Sequence, residues 1–150
     1  MTEIMTASWF TPLDVSRYQR IGVSRGVPRR QVGYRRYMQL NPGSWFNRVD
    51  TVRFLELYQT EVLARLNPGK VVADLVEMSD GKIPTLLCWE PPTPGEHWCH
   101  RGIIAAWLKD CLDLDVFEVG QEIQGAGWSH PKLHPSFRRY EPKQLPLFRL

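Results

Sequence analysis

From Ser16 to Val49 the sequence holds no aspartate and no glutamate. Basic side chains in that stretch have no local acidic partners, so their charge is available to something else. The chain also lacks any apolar run near the roughly 18 residues needed to cross a bilayer, so no membrane partner is expected. No basic segment followed by a long apolar stretch opens the N-terminus, which gives no sign of a secretory signal. Cysteine is scarce, with three residues and no C-x₂-C pair. An odd count argues against a disulfide framework and for reduced thiols in the cytoplasm. No cofactor-binding fingerprint and no internal repeat stands out.

The acid-free stretch carries Arg17, Arg20, Arg25, Arg29, Arg30, Arg35, Arg36 and Arg48 and not one lysine. A guanidinium grips phosphate bidentately and stacks on flat rings. Aromatic residues interleave the arginines: Tyr18, Tyr34, Tyr37, Trp45 and Phe46. Arginine with aromatics suits a nucleotide or nucleic acid as partner. The alternative is a solvated basic face that balances an acidic remainder.

At 150 residues the chain fits one domain with its own core. Residues 2–14 read as irregular, limited by Pro12. Arg20 to Ser24 alternates like a short strand, and Gly26 and Pro28 place Ser24, Arg25, Arg29 and Arg30 on the turn that follows. Gly33 to Leu40 reads as a short helix. Asp50 or Thr51 caps a helix to about Leu66, with Leu55, Tyr58, Val62 and Leu66 at helical spacing. Asn67-Pro68 opens a second helix that ends near Asp80-Gly81. Ile83 to Trp89 is apolar on both faces and reads as a central strand. A third helix runs from Cys99 to Asp113 with Ile103, Ile104, Trp107, Leu108 and Cys111 toward the core, and Asp115 to Val119 is a last strand. Alternating strands and helices define an α/β class: a small open sheet with helices packed on it, over residues 1–119. Residues 120–150 are rich in Pro and Gly and read as an extended tail.

The densest chemistry lies in Thr85-Leu-Leu-Cys-Trp-Glu90, a Pro-rich loop, then Trp98-Cys-His-Arg-Gly102. A strand delivers the chain to a loop, and the loop delivers Cys99, His100 and Arg101 to a helix N-terminus. Unpaired backbone N–H groups there favour anions and thiolates. Cys99 is a candidate nucleophile or a packed thiol. Glu90 and His100 are candidate acid–base groups, each with a structural alternative. Arg101 opposes the helix dipole, which suggests an anion or a salt bridge to Glu90. Trp89 and Trp98 could stack a base. An anion cradle wrapped from cysteine to a later arginine is not written here, because Arg101 follows too closely and position 105 is Ala. Cys88, His97, Cys99, His100 and Cys111 could ligate a metal, but without paired spacing the sequence favours no metal site.

Leu87-Cys-Trp-Glu90 through Cys99-His-Arg101 resembles the domain-of-unknown-function family 488, whose members share a strand ending in Cys–aromatic–Glu and a Cys-His-Arg at a helix start. Ile21-Gly-Val-Ser-Arg-Gly-Val-Pro28 is similar to the strand and turn near that family's start. The resemblance spans roughly Arg20 to Val119 and implies an α/β domain with Cys99, His100 and Arg101 at its site. It brings no assigned reaction.

Near the C-terminus, Gln144-Leu-Pro-Leu-Phe148 is similar to the short motif by which bacterial replication and repair proteins bind the DNA sliding clamp. Gln144, Leu145, Leu147 and Phe148 are then the anchors, filling an apolar groove as an extended peptide. The alternative is an arm docked on its own domain. Together these features lead us to expect a protein that processes nucleic acid or nucleotides. The alternatives are a DNA-binding adaptor recruited to the clamp and a small-nucleotide binder.

Overall fold

The computed structural model describes residues 2–95 and 97–139. Five short strands form one parallel sheet: β1 (Met5–Ser8), β2 (Tyr18–Gly22), β3 (Tyr34–Arg36), β4 (Ile83–Cys88) and β5 (Phe117–Glu118), in the order β3-β2-β4-β1-β5. Three helices accompany them: α1 (Thr51–Leu57), α2 (Pro68–Met78) and α3 (His100–Leu112). The α/β class with helices packed on a small open sheet is therefore what the chain adopts. Among the described residues no helix is long and apolar enough to cross a membrane.

Successive strand residues face opposite sides of the sheet. Ile21 and Leu86 join the helices and Ile104 in the main core, whereas Leu87 joins Ala7 and Trp9 in a smaller cluster on the other face. That is why β4, central in the sheet, is buried on both faces from Pro84 to Cys88. Trp9 lies so close to β2 that a Cβ on Gly22 would come within 2.5 Å of its ring. Asp50 caps α1 by accepting from the Arg53 amide, and Asn67 caps α2 through the Lys70 amide with Pro68 in the first turn.

Several expectations change. Residues 5–8 are a fully buried strand between β4 and β5, because pairing on both sides compensates for a weakly apolar Met-Thr-Ala-Ser segment. The expected helix at 33–40 is an edge strand, β3, followed by a single 3₁₀ turn at Met38–Leu40. The helix expected to reach Leu66 is regular only to Leu57. It continues as a π-helical turn over Tyr58–Val62 and a 3₁₀ turn over Leu63–Arg65, with Tyr58, Val62 and Leu63 all facing the core. Cys111 is exposed, since the last turn of α3 runs past the core that ends at Leu108.

Residues 120–139 do not trail away as an extended tail. They fold across α3 in short turns that bury His130, Lys132 and Leu133. The Cys99 amide donates to the Lys132 carbonyl (2.8 Å). Gly102 makes this contact possible: a Cβ there would lie 2.4 Å from the Leu133 nitrogen. The four anchors Gln144, Leu145, Leu147 and Phe148 lie outside the described residues.

Candidate functional site

In a parallel sheet every strand ends on the same edge, and ligands bind beyond those carboxyl ends. Here β2 runs into Val23-Ser24-Arg25, and β4 ends at Cys88 and runs into Trp89-Glu90. Cys99 is the N-cap of α3, in extended conformation, with His100 the first helical residue. A cavity of about 540 Å³ opens at this edge. Cys88, Glu90, Cys99 and His100 line its floor, Phe46, Phe54, Trp89 and Trp98 supply apolar walls, and Ser24 and Arg25 lie on its β2 side.

The floor is a tight cluster. His100 Nε2 lies 2.9 Å from the Val23 carbonyl, which can only accept, so that nitrogen carries a proton. Its Nδ1 is 3.7 Å from both Cys88 Sγ and Cys99 Sγ. Cys88 Sγ donates to Glu90 Oε1 at 3.4 Å. Burial of Cys99 works against ionisation, yet the Cys88 thiol, the Arg101 charge and His100 together hold its thiol well below the ordinary range. The nearby Cys99 sulfur, with burial, pushes Cys88 well above it. Of the two sulfurs, Cys99 is thus the one biased toward the thiolate. Burial and the neighbouring thiolate push the Glu90 carboxyl up to about 7. Burial opposes the charged form of His100, but the Cys99 thiolate outweighs it and raises its pKa.

Arg101 does not face the cavity. It is fully buried and gives Nε and Nη2 to the Glu118 carboxylate at 2.9 and 2.7 Å. Nη2 also reaches the Glu90 carbonyl at 2.9 Å, tying the loop after β4 to α3. The expected salt bridge to the Glu90 carboxylate is replaced by one to Glu118. Burial disfavours the guanidinium charge, but the Cys99 thiolate and Glu118 hold it. Arg101 therefore acts on the site from beneath, as a fixed positive charge. Thr6 and His130 complete that layer: Thr6 Oγ1 donates to Glu118 Oε1 at 2.7 Å and lies 2.6 Å from His130 Nε2.

The remaining sequence candidates divide. Ser24 is buried and committed to its turn, donating to the Gly26 carbonyl and accepting from Trp9 Nε1. Arg25 is exposed, reaches the Pro42 carbonyl at 3.2 Å and lies over the Phe46 ring. Trp89 is half-exposed and donates to the Gly26 carbonyl, closing the same turn. Trp98 packs edge-on against Phe54. Arg29 and Arg30 are exposed but do not line the cavity. Tyr34 packs on Trp9 across the sheet, and Tyr37 donates to Asp74, so these two aromatics belong to the fold and not to a stacking surface.

Sequence reasoning set a metal aside for want of paired spacing. The fold instead brings Cys88, from a strand end, against Cys99 and His100, from a helix start, with their donor atoms within 4.8 Å of one another. His97 and Cys111 are exposed and stand outside this group. The sequence points to Phe46 only as one of the aromatics between the arginines, and it does not point to Phe54 as a cavity wall or to Glu118 and His130 as the layer beneath. Cys88, at the end of β4 and two residues before Glu90, carries a local signal.

Fold and site define an α/β protein with a thiol, imidazole and carboxyl cluster at the carboxyl edge of a parallel sheet. Comparison with family models, curated proteins and solved structures finds no match to the chain.

Proposed function

We propose that the chain is an enzyme that processes nucleic acid or nucleotides, with Cys99 as nucleophile and Glu90 as the group that handles the proton. The observation that carries this reading is the convergence, in one cavity, of Cys99, Glu90 and His100 with four aromatic rings, next to Arg25. A cavity of about 540 Å³ suits a ligand the size of a nucleotide unit. Aromatic walls stack a base, and an exposed arginine meets a phosphate. In the reaction Cys99 Sγ forms a bond to the electrophilic centre, and the leaving group departs with the proton from Glu90. Water then cleaves the adduct, passing its proton back to Glu90.

Binding of single- and double-stranded DNA and of mononucleotides across a salt series, with Arg25→Ala alongside, tests the substrate class. Steep salt dependence that softens in the variant supports a polymer, because each neutralised phosphate releases counterions. Shallow dependence with mononucleotide binding points to a free nucleotide instead. No binding of either kind overturns the reading. Cys99→Ser tests the chemistry: an enzyme loses turnover and any covalent adduct seen by mass spectrometry. The adaptor reading rests on Gln144, Leu145, Leu147 and Phe148 as sliding-clamp anchors; an adaptor keeps its binding in Cys99→Ser and loses clamp capture when Leu147 and Phe148 become Ala.

A further inference from the structure

The geometry points to a second use of the same floor: Cys88, Cys99 and His100 form a three-donor site for a thiophilic divalent cation of the zinc class. Tetrahedral zinc has Zn–S of about 2.3 Å and Zn–N of about 2.0–2.1 Å, which sets S···N edges of roughly 3.6 Å. Both observed S···N distances are 3.7 Å, and all three donors fall within 4.8 Å of one another. Both S···N edges thus match those of a coordination tetrahedron.

The imidazole is oriented as a ligand. Its Nε2–H is committed to the Val23 carbonyl, so the nitrogen aimed at the two sulfurs is Nδ1, which holds the lone pair in the neutral ring. A metal-ligating histidine characteristically gives its other N–H to a backbone carbonyl or carboxylate in this way. The set of two thiols and one imidazole selects zinc-class ions over magnesium or calcium, which take oxygen donors. All three donors are buried, and all three line the cavity, so the fourth coordination position faces it. The Glu90 carboxylate stands next to the set without belonging to it. Three protein ligands with a fourth position toward a cavity is the arrangement of catalytic rather than structural zinc.

A bound cation and nucleophilic attack are alternative uses of Cys99, since coordination commits the sulfur lone pair. The cation site nevertheless stands independently of the proposed function, because metal binding is read without any substrate.

Cobalt(II) titration of the full-length reduced protein, followed by competition with zinc, tests the inference. The expected result is one equivalent of cobalt with thiolate-to-metal charge-transfer bands and the visible bands of tetrahedral coordination, displaced by zinc. Cys88→Ser, Cys99→Ser and His100→Gln each weaken binding at least tenfold, while Cys111→Ser leaves it unchanged. Alkylation of the wild-type protein gives a reading that needs no variant: zinc protects Cys88 and Cys99 while Cys111 stays labelled. A wild-type protein that shows no thiolate bands, or binding that survives loss of Cys99 or follows Cys111, overturns the site. If cobalt binds as expected and no nucleic acid or nucleotide does, the proposed function fails alone.

Discussion

Arg101 carries a full charge at zero exposure, and its neighbours explain how that is tolerated. Near a helix N-terminus a cation meets an unfavourable dipole. The bidentate bond to Glu118 supplies the counter-charge, and the loop carbonyl of Glu90 takes a further N–H. A buried pair of this kind adds little over an apolar substitute, but removing one partner leaves an uncompensated charge. Arg101→Met should therefore cost about 3–5 kcal/mol in urea denaturation, because Glu118 remains behind. The same variant should slow iodoacetamide labelling of Cys99 relative to exposed Cys111, because the charge that holds the thiolate is gone. Arg101→Lys should not restore either property, since a point ammonium cannot reproduce the fork. Unchanged stability and labelling in Arg101→Met would show that the charge is not what poises the cysteine. The triplet Cys99-His100-Arg101 was legible in the sequence, but the partner of Arg101 was not. Glu118 lies seventeen positions on, on β5, and only the register of the sheet brings it beneath α3.

At the scale of elements, the start of α3 is held from the segment that follows the last strand. The Cys99 amide donates to the Lys132 carbonyl, and Gly102 leaves room for the backbone at 132–133. Gly102→Ala places a methyl group 2.4 Å from the Leu133 nitrogen, a clash with backbone that no rotamer relieves. We expect a loss of about 1–3 kcal/mol by urea denaturation, the usual cost of overpacking. A neutral Gly102→Ala would mean that the 130–133 segment is not pinned there. The segment also carries a pH response. His130 is buried, and desolvation followed by the Arg101 charge holds its pKa well below the ordinary 6.5, with Arg138 and Lys132 adding to the effect and Cys99 opposing it. The unfolded chain then binds a proton that the folded chain refuses, so this contribution is intact above about pH 6.5 and is lost as pH falls below it. The stability of wild type minus that of His130→Gln should decline between pH 7 and pH 5; a flat difference would remove His130 as its source. Pro and Gly at 120–135 made this segment read as a tail, because turn residues report local bends and say nothing of what the bent chain covers. The reverse held for α2, whose Asn67-Pro68 start was visible in the sequence, since capping is a local event.

For the whole molecule, parallel strands put the ends of β2 and β4 on one edge, and with them the arginine turn and the cysteine cluster. Periodicity located β4, the helices and the α/β class, because those segments are long or apolar enough to carry a pattern. It missed β1 and β3, which are four and three residues long and owe their extended form to the neighbours they pair with. The acid-free arginine stretch is likewise divided by the fold in a way the sequence could not display. Arg20 gives its guanidinium to the Val32 carbonyl and to Gln31, and Arg36 bonds the carbonyls of Ser24 and Arg25, so both stitch the chain together. Arg25, Arg29 and Arg30 project from one turn and are exposed. If a polynucleotide lies along that turn with one unit in the cavity, Arg29 and Arg30 contact neighbouring phosphates while Arg25 serves the unit inside. Replacing Arg29 or Arg30 with Ala should then lower the slope of log K against log salt for DNA by about one each, and leave mononucleotide binding unchanged. Arg25→Ala should weaken both ligands. Fluorescence anisotropy at several salt concentrations separates the two patterns. Equal effects of all three variants on mononucleotide and DNA would confine the ligand to the cavity and leave the outer arginines as solvated charge.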